Sequence, residues 1–279
     1  MRYAMRNIVA LLSALLLIAG CATPPDRAAG ASGGTEVWWL GQSAMRITTP
    51  TGKVIMVDPW ILGNPKTPAQ FKNLDALGKL DLILVTHAHG DHSGDAVALA
   101  KKNNVPVWAP AGLNQQWQTL GELPAELSPR MNKGGTISPF PGVKITQVHA
   151  EHSSEILWTN PVTKKQETHF GGEPVGFIIE IENGPRIYHM GDTGLFGDMK
   201  LIGDLYKPDL IMIPIGGHFV MNPRDAARAT REFLQPKYAI PMHYASNPFL
   251  VGTPQEYMDA LGNFPVKVFP INPGDKLRF

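Results

Sequence analysis

The chain is organised around the segment Thr86-His87-Ala88-His89-Gly90-Asp91-His92-Ser93-Gly94-Asp95, which directly follows the apolar run 82–85. A short apolar run bounded by turn-forming residues predicts a buried strand, and the end of a strand is where a sheet presents ligands. His87 and His89 can therefore share one face, whereas Asp91 and His92 point elsewhere once the chain turns at the glycine between the two pairs. This spacing favours two metal ions over one. The alternative is a polar, histidine-rich turn without ligands.

The composition is that of an ordinary globular protein. The chain has 279 residues, 43% of them hydrophobic, and a formal net charge of +1, so it can bury a full core in one large domain or two small ones. A charge near zero, without a stripe of lysine and arginine, argues against nucleic acid as the main partner, because phosphate contacts dominate that affinity.

The N-terminus reads as an export signal. Arg2 and Arg6 precede the apolar run 8–18, which has signal-peptide length and is too short to span a bilayer comfortably. The run ends in Ile18-Ala19-Gly20-Cys21, which resembles the lipobox of bacterial lipoproteins. We therefore predict a signal peptide over residues 1–20 and an anchor in the cell envelope, on the periplasmic side of a membrane, through lipidated Cys21. A plain cleaved signal peptide or an uncleaved anchor helix is the alternative.

This assignment sets the domain boundaries. Cys21 is the single cysteine, so a lipidated Cys21 leaves the domain without a disulfide or a thiolate ligand. The residues that follow lack large apolar side chains, and we predict that 21–34 combine the lipidated cysteine with a flexible tether. The folded domain then covers 35–279.

Strand-like runs dominate the start of this domain and alternate with helical stretches later. Helix starts are marked by Asp95, by Asn222 with Pro223 ahead of a stretch to Leu234, and by the capping box from Thr253 to Glu256. The pattern predicts a layered α/β fold with sheets inside and helices outside. The predicted strands are 36–40, 44–48, 54–57, 82–85, 105–108, 143–148, 177–181, 186–190, 210–213, 238–241 and 266–269.

Further nitrogen and oxygen donors follow the ends of later strand-like runs, where α/β folds gather their chemistry. These are His149 with His152, then Asp192, His218 and His243. One strand-end histidine is more often structural than ligating, but their number supports a metal site. Asp192 stands out because a carboxylate can bridge two cations. Together with one histidine of the 149/152 pair, these residues supply two sites that share one carboxylate.

The order of these donors resembles the metallo-β-lactamase superfamily, whose HxHxDH motif matches His87, His89, Asp91 and His92. More narrowly, the chain from about Glu36 onward is similar to the UPF0173 group of metal-dependent hydrolases. That group is similar in turn to ascorbate-6-phosphate lactonases and to N-acylphosphatidylethanolamine-hydrolysing phospholipase D. The segments that carry the narrower resemblance are Asp58-Pro59-Trp60, Asn64-Pro65, Gly191-Asp192-Thr193-Gly194-Leu195-Phe196-Gly197-Asp198, Pro214-Ile215-Gly216-Gly217-His218-Phe219 and Ile240-Pro241-Met242-His243-Tyr244.

The resemblance implies a four-layer αββα sandwich with two mixed sheets inside, and it assigns the ligands. The first metal takes His87, His89 and His152, the second takes Asp91, His92 and His243, and Asp192 bridges them. His152 is preferred to His149 on the resemblance alone. His149 and His189 are then structural or supporting residues, and His169 has no assignable role. Gln42 stands where relatives often carry histidine, at a position that is not a family ligand.

The implied activity is hydrolysis by a hydroxide that bridges two divalent ions, with zinc as the default and manganese or iron as alternatives. Asp91 is expected to orient the nucleophile and move protons, and His218 is the candidate donor to the oxyanion. The bond is a phosphodiester, a lactone or another ester; β-lactams are disfavoured because metallo-β-lactamases proper generally lack the bridging aspartate.

The substrate is expected to be a small or lipid-like molecule. The predicted location in the cell envelope suits an amphiphilic compound. So do the apolar residues Ile156, Leu157 and Trp158, which are expected in a loop. The alternative function is a lipid-anchored, non-catalytic metal-binding or assembly protein that retains the hydrolase fold.

Overall fold

The computed structural model describes residues 34–279. The predicted signal peptide, Cys21 and the predicted tether up to residue 33 lie outside the described residues. Between residues 34 and 279, no helix is both long enough and apolar enough to cross a membrane.

Residues 34–279 contain sixteen strands. They are β1 (Glu36–Trp39), β2 (Met45–Thr48), β3 (Val54–Val57), β4 (Leu82–Leu84), β5 (Val107–Pro110), β6 (Arg130–Met131), β7 (Thr136–Phe140), β8 (Val143–His149), β9 (Glu155–Thr159), β10 (Gln166–Phe170), β11 (Val175–Ile181), β12 (Ile187–His189), β13 (Leu210–Pro214), β14 (Tyr238–Met242), β15 (Lys267–Val268) and β16 (Lys276–Arg278).

The helices connect these strands. The α-helices are α1 (Gly90–Ser93), α2 (Ala96–Asn103), α3 (Ala111–Thr119), α4 (Met199–Tyr206), α5 (Pro223–Arg228) and α6 (Pro254–Leu261). A π-helical stretch, Ala229–Leu234, continues α5. Short 3-10 helices cover Ala69–Phe71, Leu74–Leu77 and Ala125–Leu127.

Two mixed sheets carry most of the strands. The first has the order β16-β1-β2-β3-β4-β5-β6, and the second has the order β15-β14-β13-β12-β11-β8-β7. In the first sheet the pairs from β16 to β3 are antiparallel and those from β3 to β6 are parallel. In the second sheet the pairs from β15 to β12 are parallel and those from β12 to β7 are antiparallel. Strands β9 and β10 form a separate antiparallel hairpin.

Alternating side chains of the strands build three apolar layers. Val37 and Trp39 of β1 pack with Phe177 of β11 in a core that contains residues from both sheets. The residue between them, Trp38, belongs to a different core with Leu99 of α2. Because successive strand residues point to opposite faces, this division places the sheets face to face with helices on the outside. Tyr188 of β12 packs in the same way with residues of α4, α5 and α6 in the third core. The predicted four-layer αββα sandwich is confirmed.

Most predicted elements are present, and their ends shift by one or two residues. Asp95 precedes α2, Asn222 accepts the backbone N–H of Asp225 at 3.0 Å, and both bonds of the predicted capping box form at Thr253. The expectation of a loop at Ile156, Leu157 and Trp158 is wrong, because these residues form the middle of β9. Strands β6, β7, β10 and β16 also escaped the sequence reading. β9 and β10 alternate in burial and pair only with each other, and β10 has a single large apolar residue, Phe170.

The contact between α4 and the π-helical stretch provides a test of the outer layer. A Cβ atom added to Gly203 would overlap the carbonyl oxygen of Phe233, whereas one added to Gly197 meets nothing within 4 Å. Gly203→Ala should therefore lower the free energy of unfolding by about 1–3 kcal/mol, as overpacking usually does. Gly197→Ala is the matched control. Urea unfolding monitored by circular dichroism measures both, and equal midpoints for the two variants would contradict the packing assigned to α4.

Candidate metal centre

Strand ends from both sheets converge at one edge of the sandwich. β3 and β4 run parallel in the first sheet, and β12 and β14 lie in the parallel part of the second sheet. Their carboxyl ends lead to Asp58, His87, Asp192 and His243, respectively. β8 runs antiparallel to β11 and also ends at this edge, ahead of His152. The predicted metal residues are therefore brought together from distant parts of the sequence.

The central motif is folded by one short helix. The backbone N–H groups of His92 and Ser93 donate to the carbonyl oxygen of His89, at 3.0 and 2.9 Å, which closes the turn of α1. The turn brings the ring of His92 back to within 4.1 Å of the ring of His87, measured between centroids. Asp91 precedes His92 and is half-buried, with a side chain that is 31% exposed. The motif thus places its side chains in two separate groups, and its role as a ligand set for two ions stays a prediction.

His87, His89 and His152, which we call the first cluster, offer three imidazole nitrogens that lie within 4.8 Å of one another. Nε2 of His87 lies 3.1 Å from Nδ1 of His89. The ring of His152 stands almost perpendicular to both, with centroids 5.0 and 5.2 Å away. The choice of His152 over His149 agrees with this geometry.

Asp91, His92, Asp192 and His243 form the second cluster, which is also held within 4.8 Å. Asp192 is the member of the second cluster that also faces the first. Its Oδ1 is 3.1 Å from Nε2 of His92, and its Oδ2 is 2.9 Å from Nε2 of His243. The same Oδ2 lies 3.5 Å from Nε2 of His152 and 4.0 Å from Nε2 of His87. One carboxylate is therefore within reach of both groups of imidazoles.

These donors fit divalent ions. Two atoms bound to zinc at about 2.1 Å in a tetrahedron stand about 3.4 Å apart, close to the separations within each cluster. Nε2 of His92 and Oδ1 of Asp192 are buried and lie 3.1 Å apart, but neither makes a well-aligned hydrogen bond within residues 34–279. Buried polar atoms are rarely left in this state, and an ion between them would satisfy both.

Neighbouring side chains fix the orientation of the imidazoles. Oδ2 of Asp58 lies 2.8 Å from Nδ1 of His92 and accepts a hydrogen bond from Oγ1 of Thr86 at 2.7 Å. Oε2 of Glu155 lies 2.9 Å from Nε2 of His89. These contacts leave Nε2 of His92 and Nδ1 of His89 directed at the clusters. Metal-binding histidines usually have such partners.

Sequence reasoning gave none of these partners a role, because each lies far along the chain from the histidine that it touches. Asp58 belongs to one of the segments that carry the family resemblance, and it has one local signal, an Asp-Pro pair directly after a predicted strand.

The backbone around the centre adopts unusual conformations. Asp58 and His243 have positive φ angles of 47° and 56°, a region that non-glycine residues rarely occupy and that clusters at functional sites. Gly191 has a φ of 60°, and a Cβ there would approach the Thr86 side chain to 2.8 Å. This glycine allows the turn that carries Asp192 to reach the end of the first sheet.

Burial and neighbouring charges shift the pKa values of the residues in the two clusters in opposite directions. Burial, reinforced by His92, lowers the pKa of His87 well below its usual value. Burial also disfavours the charged form of His92, but Asp192, Asp91 and Asp58 outweigh it and raise the pKa of His92 well above its usual value. For His243 the Asp192 carboxylate overcomes burial and raises the pKa to about 9. The pKa of Asp192 is held well below its usual value, because His243 and His92 outweigh its burial. In the absence of ions, protons therefore reside on His92 and His243.

A cavity of about 440 Å³ opens over both clusters, and His89 and His152 of the first cluster line it. Among the residues that line it are Asp91, Asp192 and His243 together with Trp60 and Phe219. A cavity of about 520 Å³ lies at the opposite edge of the second sheet, where β8 begins and β11 ends, and no histidine lines it. Of these two cavities, only the one of about 440 Å³ is lined by candidate metal-binding residues.

The other histidines lie outside both clusters. His149 ends β8 and contacts Lys133 and Glu151, and His169 lies in β10 beside Glu167. His189 is fully buried, with Nε2 2.9 Å from the carbonyl oxygen of Ser43, so it holds the sheets together. His218 is exposed, and its ring stacks on Phe249 with centroids 4.9 Å apart. Its role as an oxyanion donor stays a prediction, since it does not line the cavity, although its neighbour Phe219 does.

Known metal-dependent hydrolases resemble this chain in both sequence and fold. A family model described as the beta-lactamase superfamily domain matches residues 53–244. A UPF0173 metal-dependent hydrolase from Polaromonas sp. is 60% identical over the full length of both chains. One from Cupriavidus metallidurans is 58% identical, over 92% of this chain and 89% of the relative. Among solved structures, a metallo hydrolase from Ignicoccus hospitalis superposes with a TM-score of 0.73 at 30% identity, covering 88% of this chain and 98% of that one.

The protons on His92 and His243 predict how ion binding depends on pH. A nitrogen that binds an ion must give up its proton, and the pKa of His243 is about 9. Uptake of zinc at pH 7 to 8 should therefore release protons, and affinity should rise as the pH increases toward 9. Calorimetric titrations in two buffers of different ionisation enthalpy measure the number released. The same observed enthalpy in both buffers would contradict the charge state assigned to these histidines.

Proposed function

Because the chain belongs to the UPF0173 metal-dependent hydrolases of the β-lactamase superfamily, we propose that it is a dinuclear hydrolase of the cell envelope that cleaves a phosphodiester, a lactone or another ester. The observation that carries the two-ion proposal is the position of Asp192. Its carboxylate lies within 4.0 Å of imidazole nitrogens from both clusters. A single-ion site has no need for a second group of three histidines beside a complete set of four ligands.

The donor set limits the choice of metal. All seven candidate ligands offer nitrogen or oxygen, which suits zinc first and manganese or iron as alternatives. Two such ions would supply Lewis acidity and a water of lowered pKa. We assign His87, His89 and His152 to one ion and Asp91, His92 and His243 to the other, with Asp192 shared.

Asp91 is the proposed catalytic residue. It lines the cavity and its side chain is 31% exposed, whereas that of Asp192 is only 3% exposed. His92 and His243 outweigh the effect of burial and hold the pKa of Asp91 below its usual value, so its carboxylate stays ionised. An ionised carboxylate beside the substrate cavity can orient an attacking water by accepting its hydrogen bond and can pass its proton on.

The rim of the cavity favours an amphiphilic substrate. Trp60 and Phe219 line it, and Phe219 lies against the exposed Phe249, with ring centroids 6.2 Å apart. Phe219 and Phe249 are 49% and 58% exposed, and exposed aromatic groups beside a polar site are typical of ligand-binding surfaces. The segment Ile156-Leu157-Trp158 does not line this cavity: Ile156 and Trp158 pack in a core of the first sheet, and Leu157 is exposed elsewhere on the surface.

Substitution of Asp91 tests the catalytic proposal. The full-length chain, loaded with zinc or manganese, should hydrolyse at least one of a nitrophenyl phosphodiester, a lactone and a thioester. Asp91→Asn should lower that rate by about 100-fold or more, as expected for a lost acid-base group. His149→Gln removes a histidine outside both clusters and should keep the wild-type rate. A folded chain that carries two ions and cleaves none of these bonds would support the non-catalytic alternative instead.

The envelope location is proposed from the lipobox-like segment that ends at Cys21. In a bacterial host, the wild-type chain should incorporate labelled palmitate and sediment with membranes. Cys21→Ser should abolish the label and release the chain from the membrane fraction, because the thiol is the acceptor of the lipid. Ser32→Ala, a change within the same predicted tether, is the control. A Cys21→Ser chain that remains labelled and membrane-bound would overturn the anchor.

A further inference from the structure

Gln42 is a buried residue for which the family pattern offers no role. It lies in the turn between β1 and β2, is 1% exposed and has a φ of 51°. Its carbonyl oxygen accepts hydrogen bonds from Nε1 of Trp39 at 2.9 Å and from the backbone N–H of His243 at 3.2 Å. These two bonds hold a left-handed backbone that is otherwise unfavourable for glutamine. They also connect the turn to a residue of the second cluster.

The side-chain amide of Gln42 contacts two members of that cluster. Its Nε2 lies 2.8 Å from Oδ2 of Asp91 and 2.7 Å from Nε2 of His243. The opposite orientation of the amide would place Oε1 against the carboxylate oxygen, and two acceptors repel at that distance. The amide nitrogen is therefore the atom that faces Asp91, and it donates a hydrogen bond there.

The other end of the amide has no partner. Oε1 is buried and makes no hydrogen bond within the part of the chain that the structure describes. A buried acceptor in this state costs about 1–3 kcal/mol, and a glutamine retained for packing usually bonds at both ends. What favours glutamine here is therefore the contact made by Nε2.

We propose that Gln42 is a positioning residue of the second cluster, whose amide N–H fixes the Asp91 carboxylate so that Oδ2 faces an ion. This inference rests on the two-ion function proposed above. Oδ2 of Asp91 lies 3.5 Å from Nε2 of His243 and 3.7 Å from Nε2 of His92, and these separations leave room for an ion. A carboxylate oxygen has two lone pairs, one for the ion and one for Gln42.

Asp91 needs this support more than its neighbours do. Its side chain is 31% exposed, whereas those of His92, Asp192 and His243 are 0%, 3% and 2% exposed. Packing fixes the three buried side chains, while the aspartate at the cavity wall can turn toward solvent. Nε2 of His243 holds a proton when no ion is bound and would hold an ion otherwise, so it offers the amide no lone pair in either state. The hydrogen bond to Asp91 is the one that persists.

Ion affinity, rather than activity, tests this role. Zinc binding to the full-length chain is measured in competition with a chromophoric chelator, which resolves two dissociation constants. Gln42→Met keeps the length of the side chain without a donor, and it should weaken the second ion by about tenfold, as loss of a hydrogen bond to a ligand typically does. The other ion should bind unchanged, because its ligands are His87, His89 and His152. Gln42→His, with a ring nitrogen that can donate, should recover most of the affinity.

Two further variants protect the test against trivial effects. Gln42→Asn tolerates the left-handed backbone but is one methylene too short to reach Asp91, so it should weaken the second ion as Gln42→Met does. Gln147→Met removes another fully buried glutamine that also lacks side-chain partners among the described residues, and it should bind both ions as the wild type does.

Wild-type constants in both Gln42→Met and Gln42→Asn would overturn the inference, as would equal weakening of both ions or the same loss in Gln147→Met. A wild-type chain that binds one ion only would overturn the two-ion function together with it.

Discussion

The carboxylate of Asp192 is 3% exposed and has the imidazole nitrogens of His87, His92, His152 and His243 within 4.0 Å. An ion buried this deeply loses several kcal/mol of hydration unless opposite charge surrounds it. The scaffold therefore has to deliver several imidazoles to one point, from positions more than 150 residues apart. Two sheets whose parallel strands end at a common edge achieve this. The opposing pKa shifts at the centre have the same origin, because protons occupy the places that divalent ions would take.

Much of this could be read from the sequence because the informative residues are local. The HxHxDH motif places four candidate ligands within six residues, and the capping signals at Asn222 and Thr253 depend only on neighbours three residues away. The central strands are nearly continuous apolar runs because both of their faces are buried. Each of these features has a short-range physical cause, and that is why the α/β class and the candidate ligands followed from the residues.

The features that could not be predicted from the sequence depend on contacts between distant segments. Asp58 and Gln42 are a common strand-end aspartate and a common turn glutamine until the fold places them against His92 and Asp91. Likewise, β9 and β10 pair only with each other, so each is defined as a strand by its partner rather than by burial in the central sheets. β16 is a three-residue strand defined by its partner β1. In every case the missing information is the identity of the neighbour.

The pairing of β1 with β16 joins the first and last strands of the described domain. Glu36 lies opposite Arg278, and the backbone N–H of Phe279 donates to the carbonyl oxygen of Thr35 at 2.9 Å. β1 runs from there toward Gln42 and the candidate metal centre, so both ends of the domain emerge at the edge farthest from the cavity. Removal of β16 would leave β1 as the open edge of the first sheet, and β1 leads directly into the turn that holds Gln42.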